Sequence, residues 1–200
     1  MFDLTNRYEF LSVAILFEGS LIGVAGLLGR WFDVDPLGKL SPSLSSVAWG
    51  TAATVPMLLL FLICYRWPVG PFRRIKQLLV ETLGPSLAAC RWYDLLLLAA
   101  VAGVGEELLF RGVLQPRLGL AGSNILFGVA HSVSPVYALL AGGIGVYLGW
   151  LFKATGNLLA PIVTHGLYDF LAFLVVARDF RRTRLSTGPD GANPSLGPAD

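Results

Sequence analysis

Charge is what this sequence has little of. Only 14% of its 200 residues are Asp, Glu, Lys or Arg, against about 25% in an ordinary soluble domain. With a mean hydropathy of +0.66, that shortage excludes a conventional water-soluble surface and makes lipid the solvent for much of the chain. The net charge is only +2, and no basic face is interleaved with aromatics, which excludes nucleic acid as a partner. Cysteine is scarce too. Cys64 lies in an apolar run and Cys90 in a polar loop, so the two should sit at different depths and read as free thiols rather than a disulfide framework. A small-residue cleavage pattern is missing after the first apolar run, which contains Glu18; that run reads as a retained anchor, not a leader. No internal repeat is visible.

What is present is a series of long apolar runs. A spanning helix needs roughly 20 mostly apolar residues. Candidates run from Phe10 to Leu28, from Val47 to Tyr65, from Leu95 to Leu114, from Ser123 to Val133, from Val136 to Phe152 and from Leu158 to Val176. The expected fold class is therefore all-α, a polytopic transmembrane bundle of about six spans, with the fourth the shortest. Between spans two and three, the segment from Pro71 to Trp92 mixes Arg73, Arg74, Lys76 and Glu81 with Ile75, Leu78, Leu79 and Leu83. It suits an amphipathic helix on the membrane surface, or a solvated linker. The length allows one domain, residues 1–177. From Arg178 the chain is Arg-rich and then Gly/Pro/Ser-rich to Asp200, which reads as a basic and then disordered tail over residues 178–200.

Lys and Arg set the orientation. With six spans, Arg7, Arg66, Arg73, Arg74, Lys76, Arg91, Arg178, Arg181, Arg182 and Arg184 share one side, and Arg30, Lys39, Arg117 and Lys153 the other. Ten against four places both termini in the cytoplasm.

The third span contains Gly103-Val104-Gly105-Glu106-Glu107-Leu108-Leu109-Phe110-Arg111. A charged side chain at the bilayer centre costs roughly 2.5–3.5 kcal/mol on insertion scales, so these groups should face the bundle interior or a wet cavity. Glu107 and Arg111 are four residues apart on one face and can pair. Glu106 lies about 100° around the helix, free to point elsewhere. A paired Glu107 beside a less compensated Glu106 gives the two carboxylates different proton affinities, which suits Glu106 to general-base work. A bland alternative is an Arg–Glu pair that only fixes helix packing. Gly103 and Gly105 would admit a neighbouring helix or an extended substrate backbone. The only two histidines, His131 and His165, both lie in apolar spans, and Asp169 follows His165 by four residues. Intramembrane ionisable groups are functional candidates by default. Phe127, one turn before His131, reads as core packed against it. Glu18 matches no motif; a structural role, paired with Arg111 or a backbone amide, suits it better than catalysis.

Glu106-Glu107-x-x-x-Arg111, then Phe127-x-x-x-His131, then His165-x-x-x-Asp169, on successive spans, resembles the CAAX-protease and bacteriocin-processing (CPBP, Abi) family of intramembrane peptidases. The likeness covers about residues 94–173, including Gly156-Asn157-Leu158-Leu159-Ala160-Pro161. It implies a membrane-embedded endopeptidase acting on a membrane-adjacent protein or peptide, with the lipid bilayer as its other partner. By that likeness Glu106 activates the attacking water, His131 helps to hold it, and His165 with residue 169 stabilises the oxyanion. Many members that it resembles carry Asn where this sequence has Asp169. An ionised Asp would repel an oxyanion, so Asp169 is either protonated or orients His165.

No cofactor is favoured. Zinc is the possible one, since Glu106, His131 and His165 could supply three ligands. Glu106 as a ligand, however, would leave the base role to Asp169, which would then be lost to His165, since Glu107 is committed to Arg111, and the compact His-Glu-x-x-His arrangement is missing. Two other classes stay open. Buried Glu, Asp and His also build proton- or ion-coupled transporters, although no pair of matching broken spans suggests inverted repeats. A non-catalytic membrane partner or immunity protein of the same family would keep its phenotype after Glu106→Gln.

Overall fold

Local signals place the helix ends. Asn6 caps α1 (Arg7–Phe32), its Oδ1 accepting from the backbone N–H of Tyr8 at 2.9 Å. Ser43 caps α2 (Leu44–Arg66) through Ser46 N at 3.3 Å, and Ser134 caps α7 (Pro135–Thr155) through Tyr137 N at 3.2 Å. Each supplies an acceptor to donors that a helix start leaves unpaired. Asp94 reaches back to the N–H of Arg91 at 2.7 Å and so fixes the start of α5 (Trp92–Glu107). A computed structural model describes residues 5–186 of the chain, and among them there is no strand.

The segment between α2 and α5 is helical, which favours the amphipathic helix over the linker. It comprises α3 (Pro71–Leu78), a π-helical turn (Leu79–Leu83) and α4 (Gly84–Ala89). Leu87 is buried, whereas Arg73 and Arg74 are exposed. After α5 a second π-helical stretch, Leu108–Leu114, leads into α6 (Gln115–Ala130). α8 (Leu159–Ser186) closes the bundle. It carries its helix through the basic residues Arg178 to Arg184; the Gly/Pro/Ser-rich stretch expected to be disordered lies outside the described residues.

The protein is thus an all-α bundle of a multi-pass membrane type, and α1, α2, α7 and α8 are each long and apolar enough to span a membrane. Counting the bent pair Pro71–Ala89 and Trp92–Ala130, which meet at 118°, makes up to five. The difference from six arises at Gly119. Its φ of 74° is a left-handed conformation that glycine adopts without steric cost, and the chain turns back there. Residues 120–130 then run alongside the end of the preceding helix, with Ser123 Oγ donating to Phe110 O at 2.9 Å. That returning arm is roughly 16 Å long, about half a hydrocarbon core. The fourth apolar run is therefore half of a helical hairpin rather than a full crossing.

Apolar exposure is what lipid would require: Leu16 is 74% exposed, Leu44 90% and Leu139 77%. Opposite ends of the bundle are tied differently. At one end Arg7 grips Asp94 through Nε at 2.6 Å and Nη2 at 2.8 Å. There Tyr65 donates to Asp179 at 2.8 Å, and Arg181 caps the C-terminus of α4 through Ala88 O and Cys90 O. Burial pushes the Cys90 thiol up to about 11, and both cysteines are unpaired. At the other end Asn157 holds the α1–α2 loop, bonding Ser41 O at 2.9 Å, while Leu158 N donates to Lys39 O at 2.8 Å.

Candidate active site

α5 crosses α8 at Gly103, where a Cβ would come within 2.9 Å of Gly166 N and 3.1 Å of its Cα. The helices touch backbone to backbone, as small residues permit. Gly105 plays the same part towards α1: a Cβ there would lie 2.5 Å from Glu18 O. Both glycines are therefore filled by neighbouring helices, not held open for a substrate backbone.

The Gly103 crossing sets His165, the residue before Gly166, against Glu107. His165 Nδ1 lies 2.8 Å from Glu107 Oε1, and the same oxygen accepts from Arg111 Nη1 at 2.8 Å. The pair that the spacing predicts forms, with both residues 0% exposed. Spacing does not reveal that His165 shares it. The other terminal nitrogen is bound by groups the sequence reading missed: Nη2 donates to Gly145 O at 2.8 Å and to Asn124 Oδ1 at 3.3 Å, while Nε is buried without a partner. Phe127 lies under Arg111, with Cζ 4.7 Å from its ring centre. The sequence signal for Asn124 was a polar residue in the fourth apolar run; a glycine carbonyl leaves no signal at all.

Glu106 points elsewhere, as its angular position predicts. Its Oε1 is 3.7 Å from His131 Nε2, and its Oε2 is buried without a hydrogen-bond partner. His131 is held from behind: Nδ1 meets Phe127 O at 2.9 Å, and the ring stacks on Phe127 at 4.4 Å between centroids. A carbonyl only accepts, which assigns the proton to Nδ1 and leaves the Nε2 lone pair facing Glu106 in the neutral ring. Phe127 is thus the expected core residue and also the ring's support. A gap of 3.7 Å is too long for a direct bond but suits a water bonded to both groups.

Asp169 Oδ2 stands 3.5 Å from His165 Nε2, so His165 has a carboxylate at each nitrogen. Of the two roles left open for Asp169, orienting His165 is the one with a geometry. Glu18 corrects an expectation: its Oε2 is buried without a hydrogen-bond partner, and Arg111 pairs through Nη1 and Nη2 with Glu107, Asn124 and Gly145 instead. The charged groups that act on Glu18 are Glu106, Asp169, His165 and His131.

A groove of about 190 Å³ runs to this cluster between α2, α3, α7 and α8. Leu60, Phe61, Ile75, Leu140 and Phe173 make it apolar, Lys76 lies along it, and His131, His165 and Asp169 contribute polar atoms. Glu106 is not part of the wall; it stands behind His131. As for zinc, among the described residues no three His, Cys, Asp or Glu side chains are grouped as metal ligands. His165 is occupied at Nδ1 by Glu107 and faces Asp169 with Nε2, so Glu106, His131 and His165 do not fit a shared ion as they stand.

Comparison with known proteins gives the same likeness as the motifs. Residues 88–171 match the family model described as type II CAAX prenyl endopeptidase Rce1-like, a stretch that contains Glu106, Glu107, Arg111, Phe127, His131, His165 and Asp169. The uncharacterized protein YpbD of Bacillus subtilis (strain 168) is 31% identical over 78 residues, which cover 38% of this chain and 41% of that protein. No solved structure matches.

Proposed function

We propose, from the match of residues 88–171 to the type II CAAX prenyl endopeptidase Rce1-like family model, that the chain is an intramembrane endopeptidase in which Glu106 activates the attacking water. The observation that carries the reading is the 3.7 Å gap between Glu106 Oε1 and His131 Nε2. Both are acceptors, so one water can donate a hydrogen to each and turn a lone pair outward. As that oxygen attacks the scissile carbonyl, its proton passes to Glu106. His165 is anchored by Glu107 at Nδ1, and as an imidazolium it would turn its Nε2–H, which has no close bond to Asp169 at 3.5 Å, to the charge developing on the carbonyl oxygen. Glu107 and Arg111 hold the arrangement rigid, and the apolar groove accepts the lipid-facing part of the substrate. Peptidomics of membranes carrying wild type or Glu106→Gln tests this: accumulation of at least one intact membrane-adjacent substrate in the variant is expected, and identical peptide profiles would sink it.

The hydrolysis needs no tightly bound metal in this reading. Dialysis of the purified protein against a strong chelator should leave cleavage intact, with metal content followed by mass spectrometry. Loss of activity with a stoichiometric metal, restored by adding it back, would turn His131 and His165 into ligands.

Both termini are cytoplasmic in this proposal. Single cysteines at Thr5 and Ser195, in a background without Cys64 and Cys90, should be shielded from an impermeant thiol reagent in intact cells. Labelling of either from outside would reverse the topology.

A further inference from the structure

Glu18 lies outside the family-matched stretch, yet α1 delivers it to the same cluster. Gly105 is the reason: without a Cβ it lets the Glu18 backbone press on α5 at the residue before Glu106. Every other acid of the site has an Arg or His nitrogen no farther away than 3.7 Å. Glu107 has Arg111 and His165, Glu106 faces His131, and Asp169 faces His165. Glu18 has none. The charged groups around it are Glu106 from α5, His131 after α6, and His165 and Asp169 from α8, and both histidines are already committed. Its own helix carries no other charge between Glu9 and Arg30. Its Oε2 is buried and makes no hydrogen bond. A lone carboxylate in that setting is costly, and a neutral acid removes the cost. A neutral acid also has an O–H to give.

We propose that Glu18 is the carboxylic acid that hands a proton to the leaving amine. This rests on the peptidase reading above. Water loses one proton to Glu106 as its oxygen bonds to the scissile carbon. The tetrahedral adduct then collapses, the C–N bond breaks, and the nitrogen takes the Glu18 proton. Products are a carboxylic acid and an amine, with Glu106 protonated and Glu18 ionised; transfer of the proton from Glu106 to Glu18 restores the start. Water is the sole co-reactant, and the two carboxyls exchange roles once per turnover.

The test uses the full chain in detergent with a fluorogenic peptide chosen from a quenched library by wild-type cleavage, and the same peptide acid as its p-nitrophenyl ester, whose leaving group needs no proton. Glu18→Gln should cut kcat on the amide by about 10²-fold, leave KM unchanged and leave ester hydrolysis near wild type. Glu18→Asp, which keeps an acid on a shorter arm, should recover part of the amide rate. Infrared difference spectra should show a protonated-carboxyl C=O band in wild type that is missing in Glu18→Gln, a signature a packing role would not produce. Wild-type amide cleavage by Glu18→Gln, equal losses on amide and ester, or an unchanged infrared band would each overturn the proposal. Failure of wild type to cleave any library member would instead overturn the peptidase reading, and this role with it.

Discussion

Glu106→Gln is expected to lower peptide cleavage by about 10²–10⁴-fold, the span that general-base catalysis contributes, while the protein inserts and melts like wild type. The substitution keeps the shape and removes only the ability to take a proton. Neither carboxylate oxygen makes a close hydrogen bond: Oε1 is 3.7 Å from His131 Nε2 and Oε2 has no partner. An amide therefore disrupts no network. Initial rates and thermal unfolding of the two purified proteins settle it, and a variant retaining more than half the wild-type rate would remove Glu106 from the role of base.

Glu107→Ala should behave in the opposite way, losing stability as well as activity. Glu107 Oε1 is the common acceptor for Arg111 Nη1 and His165 Nδ1, each at 2.8 Å. Its loss strands a guanidinium that is 0% exposed. Breaking one buried pair costs about 3–5 kcal/mol, and here a second donor is orphaned too. The bonds to Gly145 O and Asn124 Oδ1 remain but carry no formal negative charge. Glu107→Gln, which keeps an acceptor in place, should melt between wild type and the alanine variant. Wild-type melting of Glu107→Ala would show that the carboxylate is not what balances Arg111.

These two outcomes divide adjacent residues, and the division was legible in the sequence. The i, i+4 spacing to Arg111 predicts one pair, and the 100° step leaves Glu106 free. The long apolar runs likewise show an all-α membrane bundle, because period and length need no tertiary information. Where the chain folds back on itself, sequence reading falls short. Residues 123–133 are as apolar as a short span, and a turn at Gly119 depends on a backbone angle that composition does not encode. The His165–Glu107 bond depends on the closeness of α5 and α8 at Gly103 and Gly166, which two unremarkable glycines barely signal. Glu18 was visible as an anomaly but not as a neighbour of Glu106, since nothing in the sequence says which face of α1 meets which residue of α5.

The half-length arm of α6 bears on a reactant that hydrolysis in a membrane must obtain: water. After Ala130 the chain leaves the helix and re-enters one only at Pro135. His131 opens this irregular stretch beside Glu106, about 21 Å along α5 from its start. Non-helical backbone at such a depth persists only where protein buries it or water reaches it. Ser132 and Val133 are exposed, so protein burial does not account for it. A helix that stopped at full length would seal this level with hydrocarbon on one side. In the proposed peptidase, an arm that stops halfway would leave a polar notch beside Glu106 and His131, so the route for the second substrate, water, would be set by the length of that arm.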